Sequence, residues 1–237
     1  MKLHAVLLAG AMAFSTQAHA ACGTFADVER WLMDGDLANP NGIITGTPAT
    51  GSTAPAVASS CIGGTLCRSF NGSSNGLIIP NNPIWSDVAA NECIRISAYI
   101  KPVGAPPANG DDIWRNNSYP NQRLKMEISD PDAQQHIRCE VKGANGGTMV
   151  ATGGPSLYDG KWHQLACRVM RDPERLEAWV STCSSNSCPE GFILVATTYG
   201  AIGSINGGQV TVGRHPTGAG YYSGLMDAIE VRKAANQ

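Results

Sequence analysis

The sequence predicts an all-β protein, and three observations carry that reading. Eight stretches of strand length alternate apolar and polar residues, which sets one side of each on a core and the other on solvent. Turn formers separate them: Asp130-Pro131, Gly146-Gly147, Gly153-Gly154-Pro155, Asp159-Gly160, Asp172-Pro173 and Asn206-Gly207-Gly208. The 237 residues include 27 glycines and 14 prolines but only 15% charged residues, a composition that excludes coiled coils and long solvated helices. Many short strands joined by Gly/Pro turns make a sandwich or barrel, and one sandwich of this length is ordinary.

In chain order, Lys2 precedes an apolar run, 5–14, too short to span a bilayer, and Ala18-His19-Ala20 is a small-x-small cleavage site. Residues 1–20 are therefore expected to be a secretory signal peptide and 21–237 a single domain. A lipoprotein anchored at Cys22 is the rival, but His19-Ala20-Ala21 lacks the usual apolar residue three places before the cysteine. Residues 25–33 fit a helical turn or a strand. Residues 45–60, rich in Thr, Ser, Ala, Gly and Pro, read as a surface excursion, and 102–121 as a long loop. The alternating stretches are 92–100, 123–128, 136–142, 162–170, 175–182, 192–198, 209–213 and 224–232. No stretch after the leader is long and apolar enough for a transmembrane helix.

Charge and cysteines narrow the function. Seventeen basic residues face 19 acidic ones, so neither nucleic acid nor an anionic membrane is an expected partner. Cys22, Cys61, Cys67, Cys93, Cys139, Cys167, Cys183 and Cys188 all follow the expected cleavage point, and an even count in an exported chain implies disulfides. The zinc alternative lacks support: there is no CxxC, and His136, His163 and His215 are isolated. A secreted, periplasmic or extracellular location follows.

Five blocks in order carry a family resemblance. They are Val28-Glu29-Arg30-Trp31-Leu32-Met33-Asp34; Phe70-Asn71-Gly72 with Leu77-Ile78-Ile79-Pro80; Ile94-Arg95-Ile96-Ser97-Ala98-Tyr99-Ile100-Lys101-Pro102; Asp159-Gly160-Lys161-Trp162-His163-Gln164-Leu165-Ala166; and Tyr222-Ser223-Gly224-Leu225-Met226-Asp227-Ala228-Ile229-Glu230-Val231. Together they resemble the laminin G-like branch of the concanavalin A-like jelly rolls and span almost all of the chain after residue 20. The resemblance implies a two-sheet antiparallel β-sandwich that binds glycans or extracellular proteins, without naming one ligand.

Side-chain parity then suggests contacts. Cys139 lies among Ile137 and Val141, and Cys167 among Leu165 and Val169, so a Cys139–Cys167 bridge through the core is expected. Cys183 and Cys188 flank a polar tip where the family has a tight hairpin, which suggests a second bridge. The remaining four are taken as Cys61–Cys67 and Cys22–Cys93, a choice the sequence does not force. Asp227 and His163 share faces with apolar residues and are read as structural polar groups inside the core, with a metal or ligand role as the alternative.

The catalytic patterns of the secreted glycan hydrolases and lyases that share this sandwich are not matched. Glu127-Ile128-Ser129-Asp130-Pro131-Asp132 has the wrong spacing for the E-x-D-x-E of laminarinase-type hydrolases, and Pro131 breaks the strand. Gln134-Gln135-His136-Ile137 has the wrong order for an alginate-lyase site, and no G-x-S-x-G occurs. A divergent polysaccharide hydrolase or lyase is the alternative function, and a structural spacer a third. Arg214-His215-Pro216 stands where pentraxin relatives carry calcium-binding acids; Asp111 and Asp112, or Asp34-Gly35-Asp36, are the candidates for a different calcium site, calcium being the one cofactor considered. Trp114, Tyr119, Tyr221 and Tyr222 are the candidate sugar-stacking aromatics, in or beside expected loops.

Overall fold

A computed structural model describes residues 22–23, 26–31, 33, 46–59, 61–89, 92–104, 110–116, 123–129, 134–171, 174–184, 187–188, 191–218 and 220–235. The expected signal peptide, Tyr119 and the acids at 34 and 36 lie outside these residues. The elements are β1 (Ala26–Trp31), β2 (Thr47–Pro48), β3 (Ala56–Ala58), β4 (Cys67–Asn71), β5 (Leu77–Ile79), α1 (Pro83–Ser86), β6 (Glu92–Pro102), β7 (Asp111–Asn116), β8 (Arg123–Ile128), β9 (Ile137–Lys142), β10 (Thr148–Gly153), β11 (His163–Arg171), β12 (Glu174–Thr182), β13 (Ile193–Tyr199), β14 (Val210–Val212) and β15 (Ser223–Ala235).

These strands form two antiparallel sheets. One has eight strands in the order β13-β12-β11-β6-β15-β4-β3, with β1 also pairing β15; the other has seven in the order β10-β9-β8-β7-β14-β5-β2. Alternation fills the space between them. Ile94, Ile96, Ala98 and Ile100 on β6 meet Leu165, Cys167 and Val169 on β11, and across the core stand Leu124, Met126 and Ile128 on β8 with Ile137 and Val141 on β9. Each fully buried large aliphatic side chain contributes roughly 1.5–3 kcal/mol, so this interior dominates the stability.

Cysteines pin the frame at four places: Cys22–Cys93, Cys61–Cys67, Cys139–Cys167 and Cys183–Cys188, with no free thiol among the described residues. Cys139 lies on β9 and Cys167 on β11, so that bridge crosses the core from sheet to sheet. Cys61–Cys67 and Cys183 pack around Trp162 as a second, smaller cluster, with Tyr99 and Leu225 against it.

Three expectations about the chain path need correction. Residues 102–121 are not one loop, because β7 lies within them; a bulge between Asp112 and Trp114 buries Ile113 and Trp114 in succession and hides the alternation. Residues 45–60 are not only an excursion, since β2 and β3 extend one edge of each sheet. The ambiguous segment before Met33 is a strand, paired with β15.

Candidate functional site

The outer surface of the eight-stranded sheet carries a groove of about 240 Å³ lined by Arg95, Ala166, Arg168, Trp179 and Phe192. Strand parity produces it: Arg95, Ala166, Arg168 and Trp179 alternate with core residues on β6, β11 and β12 and so face outward. Ala166 stands between Ser97 and Trp179 in register, and two small side chains leave the depression beside the indole. Opposite Trp179 the pairing with β13 skips Val195, a bulge that sets Leu194 across from the ring, 44% exposed. Bulges of this kind re-aim side chains beside binding sites.

Glu177, 2% exposed, holds the groove's polar wall in place. Its Oε2 accepts from Arg168 Nε at 2.6 Å and from Trp179 Nε1 at 2.9 Å, and its Oε1 pairs with Arg175 Nε at 2.9 Å. The Arg168 guanidinium is 5.0 Å from the Trp179 ring centroid. One buried carboxylate therefore orients a ring and a guanidinium together.

The seven-stranded sheet presents a different outer surface. Arg115 binds Asp112 through Nε at 3.0 Å and Nη2 at 2.8 Å. Lys125 reaches Glu127 at 2.7 Å and Glu140 at 3.5 Å; Arg138 reaches the same two at 3.4 and 2.9 Å, and Arg123 closes on Glu140. Burial pushes the Glu127 carboxyl up against the pull of Lys125. Burial opposes ionisation of Glu140 too, but Lys125 and Arg123 outweigh it and hold that carboxyl below its usual range. A second cavity, about 390 Å³, lies at the β9–β10 end of this sheet, lined by Ser129, Gln134, His136, Arg138, Val150, Thr152 and Gly153.

The structure moves most of the expected site residues. Trp114 faces the core from β7, fully buried, and is no sugar platform. Tyr222 is buried too: its hydroxyl donates to the Leu225 carbonyl at 2.8 Å and its ring meets Phe70 edge-on at 5.8 Å. Tyr221 is half-buried, with the Arg214 guanidinium 5.4 Å from its centroid. Asp111 and Asp112 do not converge on one ion. Asp111 pairs in register with core-facing Ile128 and accepts from the Tyr158 hydroxyl, whereas Asp112 pairs with outward Glu127 and is held by Arg115. Among the described residues no cluster of three His, Cys, Asp or Glu side chains has metal-binding geometry.

His163 is fully buried on the core face, but its partners are local. Its Nε2 meets Asp159 Oδ1 at 2.9 Å and its Nδ1 meets the Thr182 hydroxyl at 3.3 Å. Asp159 Oδ1 also accepts from Lys161 N at 2.9 Å across a turn whose Gly160 has φ +76°, so the Asp-Gly-Lys-Trp-His run is a self-capped entry to β11. Asp227 is buried as expected but not beside Ile229 and Val231. Ala228, at φ +38°, is an extra residue in β15 that reverses the parity: Asp227 pairs with Tyr99 on the outer side and accepts from Thr65 Oγ1 at 3.3 Å.

Sequence reasoning missed Arg95, Arg168, Trp179 and Phe192. One signal was present: in 175–182 the alternation sets Trp179 with Glu177 on the polar side, and a tryptophan on a solvent-facing parity stands out.

Comparison with solved structures settles the architecture. Domain 4 of AbnA, a GH43 extracellular arabinanase from Geobacillus stearothermophilus in complex with arabinotriose, matches 89% of this chain and 96% of its own, with TM-score 0.59 and 17% identity. The fold is a jelly-roll β-sandwich. The same jelly roll matches the binding domain of botulinum neurotoxin serotype G over 87% of this chain, with TM-score 0.58 and 11% identity, and that of Paraclostridial mosquitocidal protein 1 over 83%, with TM-score 0.57 and 10% identity. This chain covers less than half of either toxin domain, 47% and 45%. No family model and no curated protein matches the sequence. No helix among the described residues is long and apolar enough to cross a membrane.

Proposed function

We propose that the protein is an exported, non-catalytic recognition module of the laminin G-like kind that binds glycan in the groove on its eight-stranded sheet. One observation carries the reading: Trp179 and Phe192 line an open groove beside Arg95 and Arg168, with Glu177 fixing the indole and one guanidinium. Ring faces stack on pyranose or furanose rings, and guanidinium forks bond their oxygens. The arabinotriose complex of the arabinanase domain and the binding domains of the toxins fit such a role for this fold. The five resembling blocks fall on β1, β4–β5, β6, the turn into β11 and β15, which supports the laminin G-like assignment. Four disulfides suit an oxidising compartment, in keeping with a signal peptide over residues 1–20 and one domain over 21–237.

The test is affinity electrophoresis of the 21–237 protein and its Trp179→Ala variant against a panel of neutral and acidic polysaccharides. Retention by at least one polysaccharide, weakened about tenfold or more in the variant while its melting temperature holds, is expected. Retention unchanged by the substitution moves the site elsewhere.

The second reading, a polysaccharide-active enzyme, draws on the opposed carboxyls of Glu127 and Glu140, since acid–base pairs are built from groups pushed apart in pKa. Both are engaged by Lys125 and Arg138, which favours an ion-pair lattice over a proton-transfer pair. Reducing-end assays on the polysaccharides that bind decide it: chain turnover lost in Glu127→Gln would install the enzyme reading.

A further inference from the structure

Granted the glycan-binding groove, the register of the eight-stranded sheet gives it a second wall. Outward positions on neighbouring strands fall into rows. Trp179 on β12 stands opposite Ala166 on β11, and Ala166 opposite Ser97 on β6. Ala166 and Ser97, 1% and 4% exposed, form the floor. Two residues along these strands in one direction stand Arg168 and Arg95, directly opposite one another, and both line the groove. Two residues along in the other direction stand Gln164 and Tyr99, also directly opposite one another, with Ser181 on β12 facing Gln164. Same-face positions on one strand lie about 7 Å apart, so side chains in both outer rows reach over the floor between them.

The polar groups of the Gln164 row are unspent. Gln164 is half-buried, yet among the described residues its amide has no hydrogen-bond partner. The half-buried Tyr99 hydroxyl has none either. Burial, and after it the Glu230 carboxylate, pushes that hydroxyl further up, so it stays protonated and able to donate. The Ser181 hydroxyl is buried and has no hydrogen-bond partner. Polar groups shielded from water are normally satisfied within a fold. Here three in line, on adjacent strands and beside a floor of small residues, are not.

We infer that Gln164 and Tyr99 read the hydroxyls of the bound sugar, whose ring lies over Ala166 and Ser97 with Arg95 and Arg168 along its opposite edge. The two walls offer different chemistry. A guanidinium only donates, whereas an amide donates and accepts, as sugar hydroxyls do, and can bond two neighbouring hydroxyls at once. Ser181 stands one strand spacing from Gln164, where its hydroxyl backs the amide. The ligand class is a sugar unit with free hydroxyls on the edge facing Gln164, discriminated by their configuration. A site built to bond a hydroxyl rejects a ligand that misplaces it, because its own polar groups are then left unpaired.

The experiment measures dissociation constants by calorimetry for β-1,4-linked oligomers of glucose, galactose and mannose and for an arabinan oligomer. Galactose and mannose each differ from glucose in the setting of one hydroxyl. Parent, Gln164→Met, Tyr99→Phe and Trp179→Ala proteins are compared, with a thermal melt of each. The parent should separate the best-bound from the worst-bound oligomer by about tenfold or more. Gln164→Met, which keeps an unbranched side chain and removes the amide, should narrow that ratio to about threefold by weakening the best-bound oligomer. Its melting temperature should hold, because the amide makes no bond in the free protein. Tyr99→Phe should narrow the ratio in the same direction, and Trp179→Ala should weaken every oligomer alike. Equal binding of all oligomers by the parent, a ratio unchanged in both wall variants, or a lowered melting temperature in Gln164→Met overturns the reading wall and leaves the groove standing. Failure of every oligomer to bind the parent, or parent-like binding by Trp179→Ala, overturns the groove itself.

Discussion

On the outer surface of the seven-stranded sheet, Arg115, Arg123, Lys125 and Arg138 are set against Asp112, Glu127 and Glu140. On that of the eight-stranded sheet, Glu177 holds Arg168 and Arg175, Glu230 holds Arg30 and Arg232, and Arg95 lines the groove beside Trp179. The residue types are nearly the same, but their order differs. Along β7, β8 and β9 each cation has an acid on the same strand face: Arg115 with Asp112, Lys125 with Glu127, Arg138 with Glu140. The charges close on one another, and all but Arg123 and Arg138 are buried. Along β6 the same-face neighbours of Arg95 are Ser97 and Tyr99. The first surface is closed by its own ion pairs, whereas the second leaves an open groove beside an indole.

The largest expected effect touches what both surfaces share. Replacing Cys139 and Cys167 together by alanine removes the bridge between the sheets and should cost about 2–5 kcal/mol in denaturant unfolding. A loss smaller than about 0.5 kcal/mol would mean that the sheets hold without it. Next comes Glu140→Ala, which takes the acid from Arg123 and leaves Lys125 and Arg138 with Glu127 alone. Losing hydrogen bonds to a charged group costs about 1.5–3 kcal/mol, and urea unfolding measures it.

Acid should then separate the two glutamates of the lattice. Glu140 is held below its ordinary value by Lys125 and Arg123 against the effect of burial. Its contribution is present above the unfolded value of about 4.3 and is lost as pH falls through the lower folded value. Burial pushes Glu127 the other way, so its contribution weakens as pH rises from the unfolded value through the raised folded one. Melting curves across the acid range should show Glu140→Gln flattening the acid loss and Glu127→Gln removing the weakening above it. Identical pH profiles for the two variants would contradict the assignment.

The smallest effect belongs to the other surface. Arg95→Gln should change stability by less than Glu140→Ala does, by no more than about 1 kcal/mol, because Arg168 and Arg232 stand directly opposite half-buried Arg95. A loss comparable to that of Glu140→Ala would make the two surfaces equivalent and the contrast void.

Much of the sandwich was legible because period-2 alternation survives wherever a strand is regular. The stretch 123–128 is β8 residue for residue, and 92–100 lies within β6. The bulges are what escaped. The one after Asp112 turned β7 into an apparent loop, and Ala228 turned Asp227 to the opposite face from the one its neighbours implied. β2, with two residues, is too short to show any period. The groove was illegible for another reason. Arg95, Arg168 and Trp179 come from three strands, and only the register between those strands sets them side by side. The aromatics that did draw notice, Trp114 and Tyr222, serve the core.

The central claim is that the eight-stranded surface is the binding surface. Amide hydrogen exchange with and without the tightest-binding glycan tests it most directly, because it locates the contact without altering a residue. Protection should gather in β6, β11, β12 and the start of β13, around Arg95, Arg168, Trp179 and Phe192, and leave β8 to β10 unchanged. Protection gathered instead at Gln134–Arg138 and Val150–Thr152, with the groove unaffected, would contradict it.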